Sequence, residues 1–235
     1  ILMLWLVSPA VAWWIGLPLA RRKAGLTAAQ TLYLGRIARK TWAFFETFVG
    51  PEDHWLPPDN YQEYRAAALA HRTSPTNMGL ALLANLTAHD FGYIPAGQLL
   101  ERTAQSLETM AGLERHRGHF YNWYDTLSLR PLHPTYISTV DSGNLAGHLL
   151  TLRPGLMALL DRPILETRWL AGLIDTLGIL EEAASETDPA SLAKFRKELE
   201  SVYNARPATL TAARALLERL TRSAEAVAAE PGDEP

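Results

Sequence analysis

Helical periodicity interrupted by glycine and proline is the feature that most limits what this chain can fold into. After Thr27, apolar residues recur every three or four positions through most of the sequence. The periodic segments end at Gly50–Pro51, at Gly92 and at Pro95, residue types that stop helices or begin turns. No region has the composition of a strand-rich domain. The pattern therefore predicts an all-α fold built from helical hairpins.

Local signals predict where the helices begin. Thr27 is expected to cap the first long helix, and Ser74 with Pro75 to begin the next one. Asp141 or Ser142 is expected to cap a later helix. The predicted helix limits are residues 27–49, 96–115, 141–152, 155–160, 163–184, 191–203 and 207–229, with a frayed tail over residues 230–235.

Each predicted helix has an apolar face that we expect to be buried against its neighbours. Burying one large apolar side chain stabilises a fold by about 1.5–3 kcal/mol. The predicted face residues are Leu34, Ile37, Ala38, Thr41, Phe45 and Phe48; Leu80, Leu83, Ala84 and Thr87; Leu99, Leu100, Thr103, Leu107 and Met110; Leu170, Leu173, Ile174 and Leu177; and Leu192, Phe195, Leu199 and Val202.

Composition excludes several classes of function. The chain has 235 residues and a net charge of −3, so nothing suggests nucleic acid as a partner. It has no cysteine, which excludes disulfides and cysteine-bound metal or iron–sulfur sites. His116 and His119 form an H-x-x-H pair, but no acidic third ligand stands at a recognised spacing. There is no glycine-rich phosphate loop either, so neither a metal nor a cofactor is predicted for this chain.

The first 20 residues contain no charged side chain and include three tryptophans. About 20 apolar residues can cross a bilayer, so residues 1–20 are predicted to be a transmembrane segment in contact with lipid. A basic linker over residues 21–26 follows, and its positive charge predicts that later residues lie in the cytoplasm. The alternative is a buried core helix. Because the chain does not begin with methionine, we expect it to be a piece of a longer protein.

Polar and aromatic residues gather in three predicted loops, over residues 55–63, 71–77 and 117–144. Sugar rings stack on aromatic faces, and their hydroxyls need directional partners such as carboxylates and amides. In a ring of helical hairpins, loops at one end converge on a shared pocket, so these loops predict a carbohydrate site. The candidate substrate-binding residues are Trp55, Asp59, Asn60, Arg72, Asn77, Tyr121, Asn122, Trp123, Asp125, Asp141 and Asn144.

Helix capping is the alternative role for Asp59, Ser74 and Asp141. Cleavage or transfer of a glycosidic bond needs two carboxylates, one on each side of the bond. No two acids in these loops stand at a spacing that identifies an acid and a nucleophile, so the residues by themselves assign no catalytic role. The available acids are Asp59, Glu63, Glu114, Asp125 and Asp141.

Six runs of residues occur in one order along the chain: ARKTWAFFETFV, WLPPDNYQE, RTSPTNMGLALLA, DFGYI, LERHRGHFYNWYDT and LRPLHPTYISTVDSGNLAGHLLTLR. Together they resemble the cyclic β-1,2-glucan synthases, which are large bacterial inner-membrane proteins. The resemblance covers nearly all of the chain after residue 26. Trp123, Asp125, Asp141 and Asn144 match the family's motifs, which implies a substrate-contact or scaffold role for them.

The resemblance implies a position within a long polypeptide. A membrane-embedded glucosyltransferase that uses UDP-glucose comes first, then a central glycoamylase-like (α/α)6-barrel, then a phosphorylase-like region. Residues 27–229 would be the first part of that barrel, because such a barrel needs about twelve helices and this chain supplies about eight. The catalytic carboxylates are expected beyond Pro235, so the isolated chain is expected to be inactive and poorly folded.

The resemblance also implies an activity and a location. The intact protein would be an enzyme that closes linear β-1,2-glucan into rings by transglycosylation, in the bacterial inner (cytoplasmic) membrane with its soluble part in the cytoplasm. The implied partners are β-1,2-glucan, the lipid bilayer and the remaining domains of the polypeptide. Two alternatives stay open: a non-catalytic glycan-binding or scaffold module, and a glycoside hydrolase of the same fold.

Overall fold

The computed structural model describes residues 2–17, 25–65, 68–163, 166–183, 189–205 and 209–228. Most of these residues are helical, as the periodicity predicted. The α-helices of this part of the chain are α1 (Leu2–Ile15), α2 (Ala28–Phe48), α3 (Pro75–Phe91), α4 (Ala96–Gly112), α5 (Thr139–Met157), α6 (Arg168–Ala183), α7 (Pro189–Ala205) and α8 (Leu210–Ala228), with 3-10 turns over Pro51–Asp53 and Ala158–Asp161.

The chain divides into two compact units, residues 1–31 and 32–235. In the first unit, α1 is an uncharged helix of 14 residues with Pro9 inside it. At about 1.5 Å per residue it is about 21 Å long, whereas the hydrocarbon core of a bilayer is about 30 Å thick. None of the described helices combines the length and the apolar character that spanning a bilayer requires. The predicted transmembrane segment includes residues 18–20, which lie outside the described part of the chain, and it stays a prediction. Most of the predicted basic linker, residues 21–24, and the predicted frayed tail, residues 230–235, lie outside the described residues.

Hydrogen bonds at two helix starts confirm the predicted caps. The Gln30 N–H donates to Thr27 Oγ1 over 3.2 Å, and the Thr27 N–H donates to the Gln30 side chain over 2.9 Å. Ser74 Oγ accepts from the Asn77 N–H over 3.3 Å, and Pro75 is the first residue of α3. In both cases the side chain satisfies a backbone group that the first helical turn leaves without a partner.

Helix α5 begins earlier and ends later than predicted. Its cap is Ser138 rather than Asp141 or Ser142, and the Ser138 hydroxyl accepts from the Asp141 N–H over 3.1 Å. The helix also continues through Pro154 to Met157, so the separate helix predicted over residues 155–160 is replaced by the end of α5 and a 3-10 turn. The local sequence offers several hydroxyl and carboxyl groups that can cap, and packing selects one of them.

Helices α3 and α5 pack closely because glycines line their contact. A Cβ on Gly79 of α3 would lie 2.2 Å from His148 Nδ1 of α5, and a Cβ on Gly155 of α5 would lie 2.3 Å from Leu86 Cδ2 of α3. These contacts follow the same order along both helices, so α3 and α5 run parallel. Their N-termini therefore lie side by side, at the ends of two of the predicted polar loops.

The buried faces of the first helices differ from the predicted ones. On α3, Met78 and Leu82 are buried, whereas Leu80 is 46% exposed. On α2, Trp42 is buried and Leu34 is exposed. Apolar residues occur on more than one side of these helices, so the neighbouring elements decide which side is buried. Other predicted face residues that are exposed are Ile37, Thr41, Thr87, Leu100, Leu107 and Leu173, whereas Leu99, Thr103, Met110, Leu170, Leu177, Leu192, Leu199 and Val202 are buried as predicted.

A buried arginine joins α4 to the end of α2. Arg102 is only 7% exposed, and its Nη2 donates to Phe45 O over 2.9 Å and to Val49 O over 3.0 Å. Its Nε donates to Asn85 Oδ1 over 3.2 Å. The positive charge thus lies at the C-terminus of α2, where the helix dipole favours it, and it gives Val49 O a donor. Phe45 O also accepts from the Val49 N–H over 3.1 Å.

Two indole rings complete the surroundings of Arg102. Its Cζ lies 5.2 Å from the ring centre of Trp42 and 5.5 Å from that of Trp55. A guanidinium at this distance is attracted by the negative faces of the rings. The arginine therefore fixes the segment that leaves α2, which leads into the first of the polar loops.

Helices α6, α7 and α8 form a second apolar cluster. Helix α6 also contacts the first core, because Tyr93 Oη lies 3.0 Å from Gly35 O of α2 and 3.1 Å from Asp175 Oδ2 of α6. The described residues show no closed ring of helical pairs, so the (α/α)6-barrel stays a prediction. The buried members of the second cluster are Leu170, Leu177, Leu192, Leu199, Val202 and Leu220.

Short strands occur within two of the predicted polar loops and immediately before one of them. Strand β1 (Arg72–Thr73) pairs antiparallel with β4 (Tyr124–Asp125), and β2 (Arg115–His116) pairs antiparallel with β3 (His119–Phe120). In the first ladder, Arg72 is opposite Asp125 and Thr73 is opposite Tyr124. Ladders of two residues are not stable by themselves, so their position depends on contacts with other elements.

Replacing the buried arginine should weaken the fold. We expect Arg102→Met to lower the free energy of unfolding by about 2–4 kcal/mol, because it leaves buried carbonyl and amide oxygens without donors. Urea denaturation of the protein measures the change. Arg214→Met is the control: its ion pair with Glu218 is exposed, and its loss should cost less than about 0.5 kcal/mol. Equal effects of the two variants would contradict the role given to Arg102.

A glycine at the end of α3 should be equally sensitive. Gly92 has a φ of 80°, and a Cβ there would lie 2.1 Å from Arg168 O. We expect Gly92→Ala to lower the free energy of unfolding by about 3 kcal/mol or more, because backbone strain and a backbone clash add together. Gly97→Ala in α4 meets no atom within 4 Å and should instead raise stability by about 0.5–1 kcal/mol. Thermal denaturation of both variants tests this difference in sign.

Candidate functional site

The three polar loops predicted from the sequence are adjacent in the second unit. The β1–β4 ladder joins the loop over residues 71–77 to the loop over residues 117–144. The loop over residues 55–63 lies against them because the Asp59 N–H donates to Ala70 O over 3.1 Å. The parallel N-termini of α3 and α5 begin beside this junction, so side chains from all three loops and two helices can meet there.

Asp59 receives hydrogen bonds from three side chains. Arg72 donates to Asp59 Oδ2 through Nε over 3.2 Å and through Nη2 over 2.9 Å. Asn60 Nδ2 donates to the same oxygen over 2.9 Å, and Asn77 Nδ2 donates to Asp59 Oδ1 over 3.2 Å. Both carboxylate oxygens therefore accept hydrogen bonds from side chains of the loops and of α3. The Arg72 side chain is 51% exposed, so this ion pair contributes defined geometry more than stability.

The Arg72 guanidinium also contacts an aromatic ring. Its Cζ lies 5.0 Å from the ring centre of Trp123, which immediately precedes β4. Trp123 is partly exposed, and its backbone carbonyl accepts from the Leu132 N–H over 2.9 Å. The Arg72 cation therefore contacts the indole from one side, and the hydrogen bond from Leu132 fixes the backbone of Trp123 at the edge of the junction.

Asn122 links this indole to α5. The amide satisfies all of its neighbours when its nitrogen faces Asp141: Nδ2 then donates to Asp141 Oδ2 over 2.9 Å, and Oδ1 accepts from Trp123 Nε1 over 2.7 Å. In this orientation Oδ1 also accepts from the Tyr136 hydroxyl over 2.7 Å. Asn122 is only 6% exposed, so its amide has lost hydrogen bonds to water, and these three partners replace them.

Asp141 connects the first turns of α3 and α5. Thr76 Oγ1 donates to Asp141 Oδ1 over 2.6 Å, and Asn144 Nδ2 donates to Thr76 Oγ1 over 3.1 Å. Burial raises the pKa of Asp141, but hydrogen bonds from Ser138, from Thr76 and from Ser74 together hold that pKa below its usual value. The side chain is therefore a carboxylate at neutral pH and accepts hydrogen bonds.

The structure brings together eight of the eleven predicted site residues. They form one connected set of hydrogen bonds and ring contacts, which we call the loop network. Its members are Asp59, Asn60, Arg72, Asn77, Asn122, Trp123, Asp141 and Asn144.

The other three predicted residues have different surroundings. Trp55 packs on Arg102, outside the loop network. Tyr121 is half-buried against the core, and its N–H donates to the Tyr124 hydroxyl over 2.8 Å. Asp125 Oδ1 accepts from its own turn, including the Ser128 N–H at 2.7 Å. These contacts give each residue a structural role, and a substrate contact for them stays a prediction.

Asp125 also differs from Asp141 in the cause of its pKa shift. The Ser128 backbone N–H is the largest cause that lowers the pKa of Asp125, while burial acts against it. The hydroxyl of Ser128 and the N–H of Leu127 lower it further. This carboxylate is therefore held by the local turn, whereas Asp141 is held by residues of two helices.

Some residues of this region were not among the predicted site residues. Thr76 and Tyr136 both touch the loop network, and both stand within the runs of polar and aromatic residues from which the site was predicted. Asp53, His71 and Thr126 form a further hydrogen-bonded group beside it. No local pattern marks this group, because its members are brought together only by the fold.

The loop network contains the groups that a carbohydrate site needs. Carboxylates and amides offer directional acceptors and donors, and an indole offers a flat apolar face. Asp141 stays ionised at neutral pH, and general acids in glycoside chemistry instead have a raised pKa. The arrangement is suited to binding and orienting hydroxyl-rich rings, and we assign no acid or nucleophile within it.

Comparison with known proteins identifies a relative. No protein-family model matches the chain. The sequence is 39% identical over 186 residues to cyclic beta-(1,2)-glucan synthase NdvB of Rhizobium meliloti (strain 1021). The match covers 78% of this chain and 7% of that protein, so the chain spans a small part of its relative's length.

A solved structure is also similar. It is the crystal structure of a Bacteroides fragilis NCTC 9343 protein described provisionally as a glucoamylase, 16% identical in sequence. The superposition has a TM-score of 0.45 and covers 59% of this chain and 37% of the other. The sequence identity of 39% over most of the chain confirms the resemblance that the motifs indicated: this chain is homologous to one segment of a cyclic beta-(1,2)-glucan synthase.

Proposed function

We propose that this chain is the carbohydrate-binding part of a domain that converts linear β-1,2-glucan into rings by transglycosylation. The observation that supports it most is the loop network, in which carboxylates, amides, a guanidinium and an indole from three loops meet at one place. Homology to a cyclic beta-(1,2)-glucan synthase supports β-1,2-glucan as the substrate class. The assignment of the chain to a glycan-processing protein rests on that homology alone.

The side chains of the loop network would hold glucosyl units in two ways. The partly exposed face of Trp123 would stack on the C–H face of a sugar ring. Asp59, Asp141 and Asn144 would accept from or donate to ring hydroxyls at the edge of the stack. Binding several units of one chain in register lowers the entropy cost of bringing a distant hydroxyl to the reacting carbon.

The reaction in the intact protein would be a retaining transfer. A carboxylate attacks the anomeric carbon and the glycosidic oxygen leaves with a proton from a second carboxyl group. A hydroxyl of the same glucan, in place of water, then displaces the carboxylate from the anomeric carbon and closes the ring, and its proton returns to the second carboxylate. We assign both carboxyl groups to the remaining polypeptide, and this chain supplies binding and orientation.

The place of the chain in the longer protein is part of the same proposal. Residues 27–229 would be the first portion of an (α/α)6 domain, and a separate region would use UDP-glucose to make the linear glucan. Attachment to the inner membrane and a cytoplasmic location of the soluble part stay predictions.

Product analysis tests the function directly. The intact protein is incubated with linear β-1,2-glucan as the sole substrate, and the products are separated by size and tested for reducing ends. Cyclic products or a redistribution of chain lengths are expected. Accumulating free reducing ends would show a hydrolase, and binding without any turnover would show a non-catalytic glycan-binding module.

Removing the cation beside Trp123 should weaken glucan binding. We expect Arg72→Met to raise the Kd for linear β-1,2-glucan by about tenfold. Asp59 loses the hydrogen bonds from the guanidinium, and the Trp123 indole loses the cation that lies over its ring. Isothermal titration calorimetry measures the Kd. Arg115→Met is the matched control, since Arg115 also lies over a ring, that of Phe120, but outside the loop network. A change of more than about twofold in this control would contradict the assignment.

Two carboxylates should respond differently to the same substitution. Asp141→Asn should raise the Kd for linear β-1,2-glucan by about tenfold, because Asp141 faces Asn122 and Thr76 within the loop network. Asp125→Asn should mainly lower the melting temperature, because Asp125 holds the turn at Ser128. Unfolding of Asp141→Asn, or an equal rise in Kd for both variants, would show that the distinction is wrong.

A further inference from the structure

A buried carboxylate lies beside the loop network without belonging to it. Asp53 is 4% exposed and ends the 3-10 turn Pro51–Asp53. Burying an ionised group is costly unless hydrogen bonds replace its water. Asp53 Oδ1 accepts hydrogen bonds from His71 Nδ1 over 2.8 Å and from Thr126 Oγ1. One oxygen atom therefore joins two residues that are 55 positions apart in the sequence.

The two partners of Asp53 stand at the same end of the β1–β4 ladder. His71 immediately precedes β1, and Thr126 immediately follows β4. The Thr126 N–H also donates to His71 O over 3.1 Å, which continues the ladder by one hydrogen bond. Asp53 thus closes the end of a two-residue ladder that would not be stable by itself.

A second contact from the same corner holds Thr126. His54 has a φ of 54°, a left-handed conformation, and its Nδ1 donates to Thr126 O over 2.9 Å. Asp53 and His54 therefore hold Thr126 by its hydroxyl and by its carbonyl group. Two adjacent residues that hold one threonine leave its backbone little freedom.

The ladder in turn sets the geometry of the loop network. Arg72 lies in β1, Trp123 immediately precedes β4, and their contact at 5.0 Å crosses the ladder. A slip or opening of the ladder would separate the guanidinium from the indole. We propose that Asp53 is a positioning residue for glucan binding, which acts through His71 and Thr126 on the Arg72–Trp123 pair. This inference rests on the function proposed above.

The test uses Thr126, because two substitutions there separate hydrogen bonding from packing. Thr126→Val keeps the shape of this fully buried side chain and removes the hydroxyl, whereas Thr126→Ser keeps the hydroxyl and removes a methyl group. We expect Thr126→Val in the intact protein to raise the KM for linear β-1,2-glucan by about tenfold with kcat within about twofold of wild type. Thr126→Ser should restore the KM to within about twofold of wild type.

A matched control uses another buried threonine. Thr103 of α4 is 3% exposed, and its hydroxyl has no hydrogen-bond partner among the described residues. Thr103→Val should leave KM and kcat unchanged, because no hydrogen bond is lost. If Thr126→Val folds and has the wild-type KM, or if Thr126→Ser is as impaired as Thr126→Val, the positioning role is overturned.

Hydrogen exchange separates this inference from the function on which it rests. Thr126→Val should speed exchange of the Thr126 amide, which donates to His71 O at the end of the ladder, whereas Thr103→Val should not, whether or not glucan binds. If the wild-type protein does not act on linear β-1,2-glucan, the proposed function fails. Unchanged exchange rates in Thr126→Val would separately overturn the positioning role of Asp53. Should Thr126→Val fail to fold, His71→Phe removes the other partner at a half-exposed position and must give the same rise in KM and the same faster exchange.

Discussion

The contact between Arg102 and the end of α2 is the interaction on which the functional region depends. The guanidinium satisfies the last carbonyls of α2, including that of Val49, and attracts the indole of Trp55. It thereby fixes the corner that contains Asp53. Asp53 in turn holds Thr126 at the end of the β1–β4 ladder. The buried charge of Arg102 is thus connected, through the segment that contains Asp53, to the place where the polar loops meet.

Buried and exposed charges have different roles in this protein. Arg102 and Asp53 are buried, and every hydrogen bond that they make replaces lost hydration, so they determine where the backbone lies. Asp59 and Arg72 are more exposed, so water screens their attraction and their pairing adds little stability. Their pairing instead fixes the relative orientation of the two side chains, because a planar guanidinium and a carboxylate favour one geometry. A rigid support beneath a solvated polar surface is the arrangement expected where hydroxyl-rich ligands bind.

Features set within one helical turn could be predicted from the sequence. The caps at Thr27 and Ser74 depend on residues three positions away, so local sequence determines them. The cap of α5 was missed because several suitable residues stand close together and packing selects Ser138. The buried face of α3 was also missed, since Leu80 and Met78 are both apolar and only the close approach of α5 decides between them.

The sequence by itself determined the helical class, the three polar loops and the relationship to a cyclic beta-(1,2)-glucan synthase, because these follow from residue order and composition. Tertiary structure alone decided which loop residues meet. It placed Thr76 in hydrogen-bond contact with Asp141, 65 positions away in the sequence, and it placed Trp55 against Arg102, outside the loop network. Asp125 remained with its own turn. The physical reason is distance along the chain: a hydrogen bond within a turn forms wherever its residues occur, whereas one across many residues forms only after helices such as α3 and α5 have packed.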